Sequence, residues 1–332
     1  MKPKVSAIMA VLNGERFIDE AIQSIVDQTY KNCELVVVDD GSTDGTYGRL
    51  QAFRDKIEIR YVRHDQPQGI APSMNDGVRH ATGDLIAFLD HDDSWLPEFL
   101  ETQVDYLERH PDVGMVHSDF QTIDTAGSVI EESVAASRGR RRPSGHVFPQ
   151  LFMDSFIVGN SVLIRRECFT KLGWFDESLR WGDYHMWMRI ARHYKVDYVD
   201  RVLTRYRQHP TQSTRTPVGQ RPDETPVGLM AIEKILALYP EARTELGDRT
   251  IRRRTASFYF DLAYGWYIKG EPARARGYAR RALRLWPTNA RYLTLFAASL
   301  LGPSQSAALR QLWRRLRGRR AKAAGEVRGI TG

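Results

Sequence analysis

"LIAFLDHDDSW", residues 85–95, decides how the rest of the chain is read. An apolar run from Leu85 to Leu89 ends in three carboxylates within four residues, Asp90, Asp92 and Asp93. Mutually repelling charges directly after a buried strand cost both repulsion and desolvation. A divalent cation removes both penalties. Hard cations prefer oxygen, and Mg2+ or Mn2+ takes one or two carboxylates plus substrate phosphates. The plainer reading is a solvated loop in which Asp92 or Asp93 caps a helix starting near Pro97. A cap needs one carboxylate and the segment supplies three, so the metal reading is preferred.

Working outward, the first 120 residues alternate strand-like apolar runs with amphipathic helices. Strands are expected over 5–9, 35–38, 57–62, 85–89 and 113–117. Phe17, Ile18, Ala21, Ile22 and Ile25 recur at helical spacing after the first strand. Further helices are expected over 71–80 and 97–108, with Pro97 in the first turn of the latter. This alternation predicts an α/β fold with a mostly parallel sheet covered by helices on both faces. Ligands of such sheets bind beyond the carboxyl ends of the strands, where these acidic residues fall.

Beyond residue 120 the pattern loosens. A strand is expected over 158–164 and a helix over 184–193, with Met186, Trp187 and Ile190 on its apolar side. Residues 137–145, rich in Arg, Gly and Pro, read as a loop, and 211–225 as breaker-rich. The remainder reads as helical. Leu262, Ala263, Trp266, Gly270, Ala275, Ala279, Ala282 and Pro287 match the small/large spacing of a tetratricopeptide-like helix pair. The expected organisation is a catalytic-type domain over 1–215, a linker over 216–225, a helical region over 226–303 and a basic tail over 304–332.

Composition sets the outer bounds. At 332 residues, 42% hydrophobic and 27% charged, the chain can build a real core. No apolar run approaches the roughly 20 residues that span a bilayer. The N-terminus lacks a signal-peptide core, so the expected location is cytoplasmic. Cys33 and Cys168 make no metal-ligand spacing. The net charge of +7 concentrates as arginine after about residue 240, which fits anionic partners of several kinds.

Three other stretches carry chemistry. "VVVDDGSTDGT", residues 36–46, ends a buried strand at Asp39–Asp40. Asp39 can bind turn amides, while Asp40 can accept from a base imide or a ribose hydroxyl. In "WGDYHMWMRIA", residues 181–191, Asp183 precedes a helix and is either its N-cap or a general base. In "YRQHPTQST", residues 206–214, Arg207 and His209 can meet phosphate or metal.

Taken in order, "VSAIMAVLNGERFIDEAIQSIVDQTYKNCELVVVDDGSTDGT", "GDLIAFLDHDDSWLPEFL", "LGWFDESL" with "GDYHMWMRIA", and "YRQH" resemble the inverting GT-A glycosyltransferases of family two. The resemblance covers about residues 4–213. It implies a GT-A fold, a nucleotide-sugar donor, usually a UDP-sugar, and a Mn2+ or Mg2+ cofactor. By it, Asp40 binds uracil, and Asp39 with Ala10, Leu12 and Asn75 helps form the donor pocket. Asp90 faces the ribose, Asp92 and Asp93 reach the metal, Arg207 belongs to the donor site, and His209 lies near the diphosphate and the metal as a further metal residue. Asp183 matches the catalytic base. Four positions depart from the family pattern. Ala10 and Leu12 stand where proline and tyrosine are usual, Met74 where arginine is usual, and Gly182 where glutamate is usual.

The resemblance implies transfer of a sugar to a hydroxyl of a glycan or lipid-linked acceptor, as in cell-surface polysaccharide synthesis. Two rivals stand beside it: a nucleotidyltransferase on a similar sheet, and a catalytically degenerate adaptor. The loop over 137–145 is expected either to close over bound donor or to be a solvated basic loop. In residues 306–324, Leu309, Leu312, Trp313 and Leu316 form an apolar stripe among arginines. That pattern suits either an anionic membrane surface or packing on preceding helices. Without a stacking platform, nucleic acid is not expected as a partner.

Overall fold

The computed structural model describes residues 2–137, 139, 142–212 and 227–301. The linker over 216–225 and the tail over 304–332 lie outside the described residues. Two compact units emerge among the described residues, one drawn from 2–212 with 230–238, the other from 227–229 with 239–301.

The first unit begins β1 (Val5–Val11), α1 (Ile18–Val26), β2 (Cys33–Asp39), α2 (Thr46–Gln51), β3 (Ile59–Arg63), α3 (Ile70–His80) and β4 (Leu85–Phe88). It continues with β5 (Ser94–Trp95), α4 (Phe99–Arg109), β6 (Val113–Ile123), β7 (Val129–Glu131), α5 (Val134–Ser137) and α6 (Phe148–Met153). A single 3-10 turn over Gly159–Ser161 leads into β8 (Val162–Arg165), followed by α7 (Arg166–Leu172), α8 (Asp183–His193) and β9 (Lys195–Arg207). The helix expected from Pro97 starts at Phe99 instead, with Glu98 as its N-cap. The Pro97 carbonyl is already engaged by the Thr29 amide.

All the strands join one sheet in the order β3-β2-β1-β4-β8-β6-β9-β5, with β7 paired to β6. The β3-β2-β1-β4 half is parallel. Past β4 the sheet becomes mixed, because β8 runs antiparallel to both β4 and β6. The sequence pattern shows the first half clearly, since β2 is buried on both faces through Val36, Val37 and Val38. The 13-residue β9 was not expected. Its Asp197, Asp200, Arg201 and Arg205 interrupt the apolar run.

Helix α3 lies hard against β1. A Cβ at Gly77 would stand 2.3 Å from Ile8 Cγ2, so only glycine allows this approach. At the opposite sheet edge from the carboxyl ends, Glu34 is fully buried. It accepts hydrogen bonds from Ser6 Oγ (2.6 Å), the Thr82 amide (2.6 Å), Lys4 Nζ (2.9 Å) and Arg60 Nε (2.9 Å). Burial alone would raise its pKa, but these donors outweigh it and hold the carboxyl far below the usual range.

Residues 138, 140 and 141 of the arginine-rich loop lie outside the described residues. The loop's end is pinned to β9: the Gly145 amide donates to Asp197 Oδ1 (2.8 Å), and Tyr198 N to Ser144 Oγ (2.9 Å). After it the chain resumes in α9 (Val227–Leu238).

The second unit contains α10 (Ala242–Lys269), α11 (Pro272–Leu285) and α12 (Ala290–Leu300). Helix α10 breaks at Gly247 and ends on Gly270 in the left-handed region, φ 90°, which turns the chain into α11. Ala263, Trp266, Ala275 and Ala279 bury together with Leu295 and Ala298 of α12. The small residues of the repeat-like pattern are the ones that let these helices approach. No described helix is long and apolar enough to cross a membrane.

Candidate active site

Parallel pairing brings two acidic strand ends to one edge. Val11 pairs with Asp39 and Ile8 with Phe88, so β2 and β4 finish on either side of β1. Their carboxylates meet different fates.

At the end of β2 the protein supplies every partner. Asp39 Oδ1 accepts the Ser42 amide (2.7 Å), and Oδ2 accepts Tyr61 Oη (2.6 Å) and Arg63 Nη1 (2.9 Å). Burial works against ionisation of Asp39, yet these donors hold its pKa below the ordinary value. Asp40 Oδ1 accepts the Gln68 amide (2.7 Å) and faces His64 Nδ1 at 2.7 Å, while Oδ2 accepts the Gly69 amide (2.8 Å). Gly69 provides that amide at φ 106°, a conformation that favours glycine. Asn13, itself left-handed at φ 55°, braces the turn after β2 by accepting the Thr43 amide (2.9 Å). Ala10 is partly buried. Leu12 is 42% exposed, an open apolar side chain where an aromatic ring is usual.

At the end of β4 the charges stay largely uncompensated. Ligand oxygens of Asp90, Asp92 and Asp93 all lie within 4.8 Å of one another. Asp90 is open to solvent, Asp92 partly so, and Asp93 buried. Asp93 has protein partners: the Arg207 amide donates to Oδ1 (2.8 Å) and Asn160 Nδ2 to Oδ2 (2.6 Å). Asp92 Oδ2 faces His209 Nε2 at 2.8 Å. No hydrogen bond to the Asp90 carboxylate appears among these contacts. Desolvation by the surrounding cleft, then the charges of Asp92 and Asp183, push its pKa up to about 7. Burial, then Asp92 and Asp90, also raise Asp93 well above the usual range.

Asp183 opens α8, and its Oδ1 accepts the Tyr184 amide (2.8 Å). Its influence on Asp90 sets it beside the cluster. Desolvation raises its own pKa. The position before it is tight: a Cβ at Gly182 would lie 3.1 Å from Phe175 Cβ, so a side chain there requires Phe175 to give by a few tenths of an ångström.

Two residues expected at the donor site are engaged by the fold itself. Arg207 is a clamp whose guanidinium is spent on the protein. Nε donates to the Asp92 carbonyl (2.8 Å), Nη1 to the carbonyls of Asp124 (3.1 Å) and Thr125 (3.5 Å), and Nη2 to Glu20 Oε2 (2.5 Å). It is 1% exposed and stacks over Phe17. Asn75 is likewise committed. Its amide nitrogen donates to the Phe175 carbonyl (3.0 Å) and Glu177 Oε1 (2.8 Å), and its oxygen accepts the Phe175 amide (2.8 Å). Both side chains shape the site's walls.

Sequence reasoning missed Asn160, Glu20, Phe17 and His64. Each contributes one polar atom or one ring from a distant element, and none stands in a spaced motif.

The three carboxylates together with an imidazole form an oxygen-rich, net-negative donor set that suits a hard divalent cation. The residual repulsion on Asp90 is the charge such an ion would neutralise.

Comparisons with known proteins agree with this geometry. Residues 6–173 match the model of "Glycosyl transferase family 2". An uncharacterised glycosyltransferase of Rickettsia typhi is 34% identical over 222 residues, covering 66% of this chain and 68% of that protein. One from Methanocaldococcus jannaschii is 30% identical over 214 residues, covering 62% and 71%. Among solved structures, the mannosyltransferase PcManGT of Pyrobaculum calidifontis, in complex with GDP-Man and Mn2+, superposes with TM-score 0.58 at 20% identity, covering 95% of this chain and 88% of that one. S. aureus TarS 1–349 in complex with UDP-GlcNAc gives TM-score 0.54 at 15% identity, covering 89% and 90%. The chain belongs to glycosyl transferase family 2 and has the GT-A fold. It is a glycosyltransferase.

Proposed function

We propose that this family 2 glycosyltransferase moves a sugar from a nucleoside-diphosphate sugar to a hydroxyl of a glycan or lipid-linked acceptor, inverting the anomeric centre. One observation carries the reading: the carboxylates at the end of β4 hold more negative charge than the protein neutralises, beside a desolvated Asp183.

Asp40 receives the nucleobase, held in place by the Gln68 and Gly69 amides. Asp92 and His209 would hold Mg2+ or Mn2+, with Asp90 alongside toward the ribose. Asp93, tied to Asn160 and the Arg207 amide, fixes the backbone from which Asp92 projects. Bound there, the cation supplies charge neutralisation for a diphosphate leaving group. Asp183 accepts the proton of the attacking hydroxyl. The acceptor oxygen bonds to the anomeric carbon as the bond to the diphosphate breaks, and one displacement inverts configuration.

Uracil is the base favoured here, supported by the UDP-GlcNAc complex of TarS. Leu12 offers apolar contact but no ring to stack on, and the GDP-Man complex of PcManGT keeps guanine in the test. The proposed workplace is the cytoplasmic face of a membrane, with peripheral contact to anionic lipid. Co-sedimentation with anionic liposomes that vanishes on truncation at Pro303 tests that contact.

The decisive experiment is a calorimetric titration of UDP and GDP with Mn2+, followed by transfer assays on the sugar nucleotide that binds. Nucleotide binding that needs the metal, together with turnover, is the expected result. Pyrophosphate release from a nucleoside triphosphate and a sugar phosphate would favour nucleotidyl transfer. No binding of any nucleotide would favour an adaptor.

A further inference from the structure

The pocket edge at Asp40 contains an imidazole with carboxylates on both sides. His64 follows β3 and is 6% exposed. Its Nδ1 lies 2.7 Å from Asp40 Oδ1, and its Nε2 lies 2.9 Å from Asp76 Oδ2 on α3. A neutral ring has one N–H and one bare lone pair. In either tautomer that lone pair would face a carboxylate oxygen at hydrogen-bond distance. Only the doubly protonated ring satisfies both contacts. The other charges here act through these two acids. Arg79 Nη1 donates to the second oxygen of Asp76 (2.7 Å). Arg63, the last residue of β3, is committed to Asp39 and the Ser42 carbonyl. Asp65, the next residue along the chain, is exposed.

This arrangement ties three elements together. Asp40 ends the β2 strand, His64 leaves β3, and Asp76 stands on α3. Asp40 in turn fixes the loop that carries the Gln68 and Gly69 amides into the start of α3.

We propose that His64 is a positioning residue for the nucleobase site: as an imidazolium it latches Asp40 to Asp76, and its deprotonation weakens nucleotide binding. The inference rests on Asp40 receiving the base, as proposed above. Burial opposes charge on the ring, but hydrogen bonds to Asp40 and Asp76 outweigh it and raise its pKa above the ordinary 6.5. The latch is therefore closed below that raised value and opens as pH rises through it.

The test titrates the full chain with UDP and with GDP, each with Mn2+, between pH 6 and 9. Because phosphate and metal ligands also titrate, the readout is the difference between wild type and two variants. In Asp76→Asn the side-chain amide can donate to a bare Nε2, so a neutral ring tagged at Nδ1 still serves Asp40. That variant should keep its affinity at pH 9, where wild type has lost about tenfold, the equivalent of roughly one pKa unit of linkage. His64→Gln should bind weakly at every pH and lack the high-pH loss. NMR of the ligand-free His64 ring should show both nitrogens protonated at pH 7. A ring that is neutral at pH 7, or variants whose pH profiles overlay wild type, overturns the latch while leaving nucleotide binding intact. Absence of binding to wild type at any pH overturns the latch and the nucleotide-sugar reading together.

Discussion

The carboxylates that end β2 and β4 flank the same strand, yet one set is closed and the other open. Asp39 and Asp40 are each held by three donors, among turn amides, a tyrosine, an arginine and a histidine, and Asp40 Oδ2 keeps one lone pair beyond the Gly69 amide. Asp90 and Asp92 face one another, Asp183 and a single imidazole. A closed acid shapes the backbone around it. An open acid stores repulsion that a bound cation or substrate relieves. Sequence shows two acidic clusters of similar appearance, and the difference between them separates framework from chemistry.

The largest test of this contrast lies at the open end. Asp183→Asn should lower transfer by about 10²–10⁴-fold, the usual range for a general base. Metal-dependent nucleotide binding and melting temperature should stay near wild type. Wild-type turnover by this variant with its true acceptor would remove Asp183 from the base role.

Next comes the clamp between the two sets of elements. Arg207→Met strands the carbonyls of Asp92 and Asp124 in a buried position, which should cost on the order of 3 kcal/mol. Urea denaturation measures it. Arg207→Lys should recover less than half, since an ammonium cannot reach three elements at once. If Arg207→Met unfolds like wild type while losing nucleotide affinity, the side chain is a ligand group after all.

Substitution of Asp39, which the fold alone engages, should act on stability rather than chemistry. Asp39→Ala leaves Tyr61 and the Ser42 amide without their acceptor and should cost about 1–3 kcal/mol. Its effect on turnover should be no larger than partial unfolding explains. A selective loss of nucleotide affinity in a fully folded variant would erase the distinction between the ends.

The smallest effect has opposite signs at the two ends. Asp39 has a lowered folded pKa, so its contribution is complete above about pH 4 and fades as pH falls through the folded value. Asp90 has a folded pKa of about 7, above its unfolded value, so the folded state takes up its proton first. In metal-free protein, stability should therefore rise as pH falls from about 8 towards 5. Asp90 is open to solvent, which screens the repulsion, so the gain should be only about 1 kcal/mol. Denaturation in the presence of a chelator measures it, and Asp90→Asn should abolish the slope. A flat profile in wild type would mean that the open end is already neutralised.

Much of the first unit is legible from residues alone. The β-branched run of β2 and the amphipathic spacing of α1 report local burial, which is a local property of sequence. Asp90, Asp92, Asp93 and Asp183 are visible because three stand in one motif and the fourth opens a helix. Asn160, Glu20 and His64 are invisible for the opposite reason. Each reaches its partner across 67, 187 or 24 residues, and no spacing records such a meeting.

By itself, then, the sequence determined the strand-helix alternation, the acidic strand ends and the family motifs, because periodicity and clustering are written along the chain. Tertiary structure alone decided which acid is satisfied. A carboxylate's role follows from the donors within about 3 Å of it. Those donors come from β9, from the connection between β3 and α3 and from the turn before β8, brought together only when the sheet closes around β1 and β4. The same packing holds Arg207 and Asn75 through donors that already meet acceptors within the fold, a commitment that no spacing along the chain records.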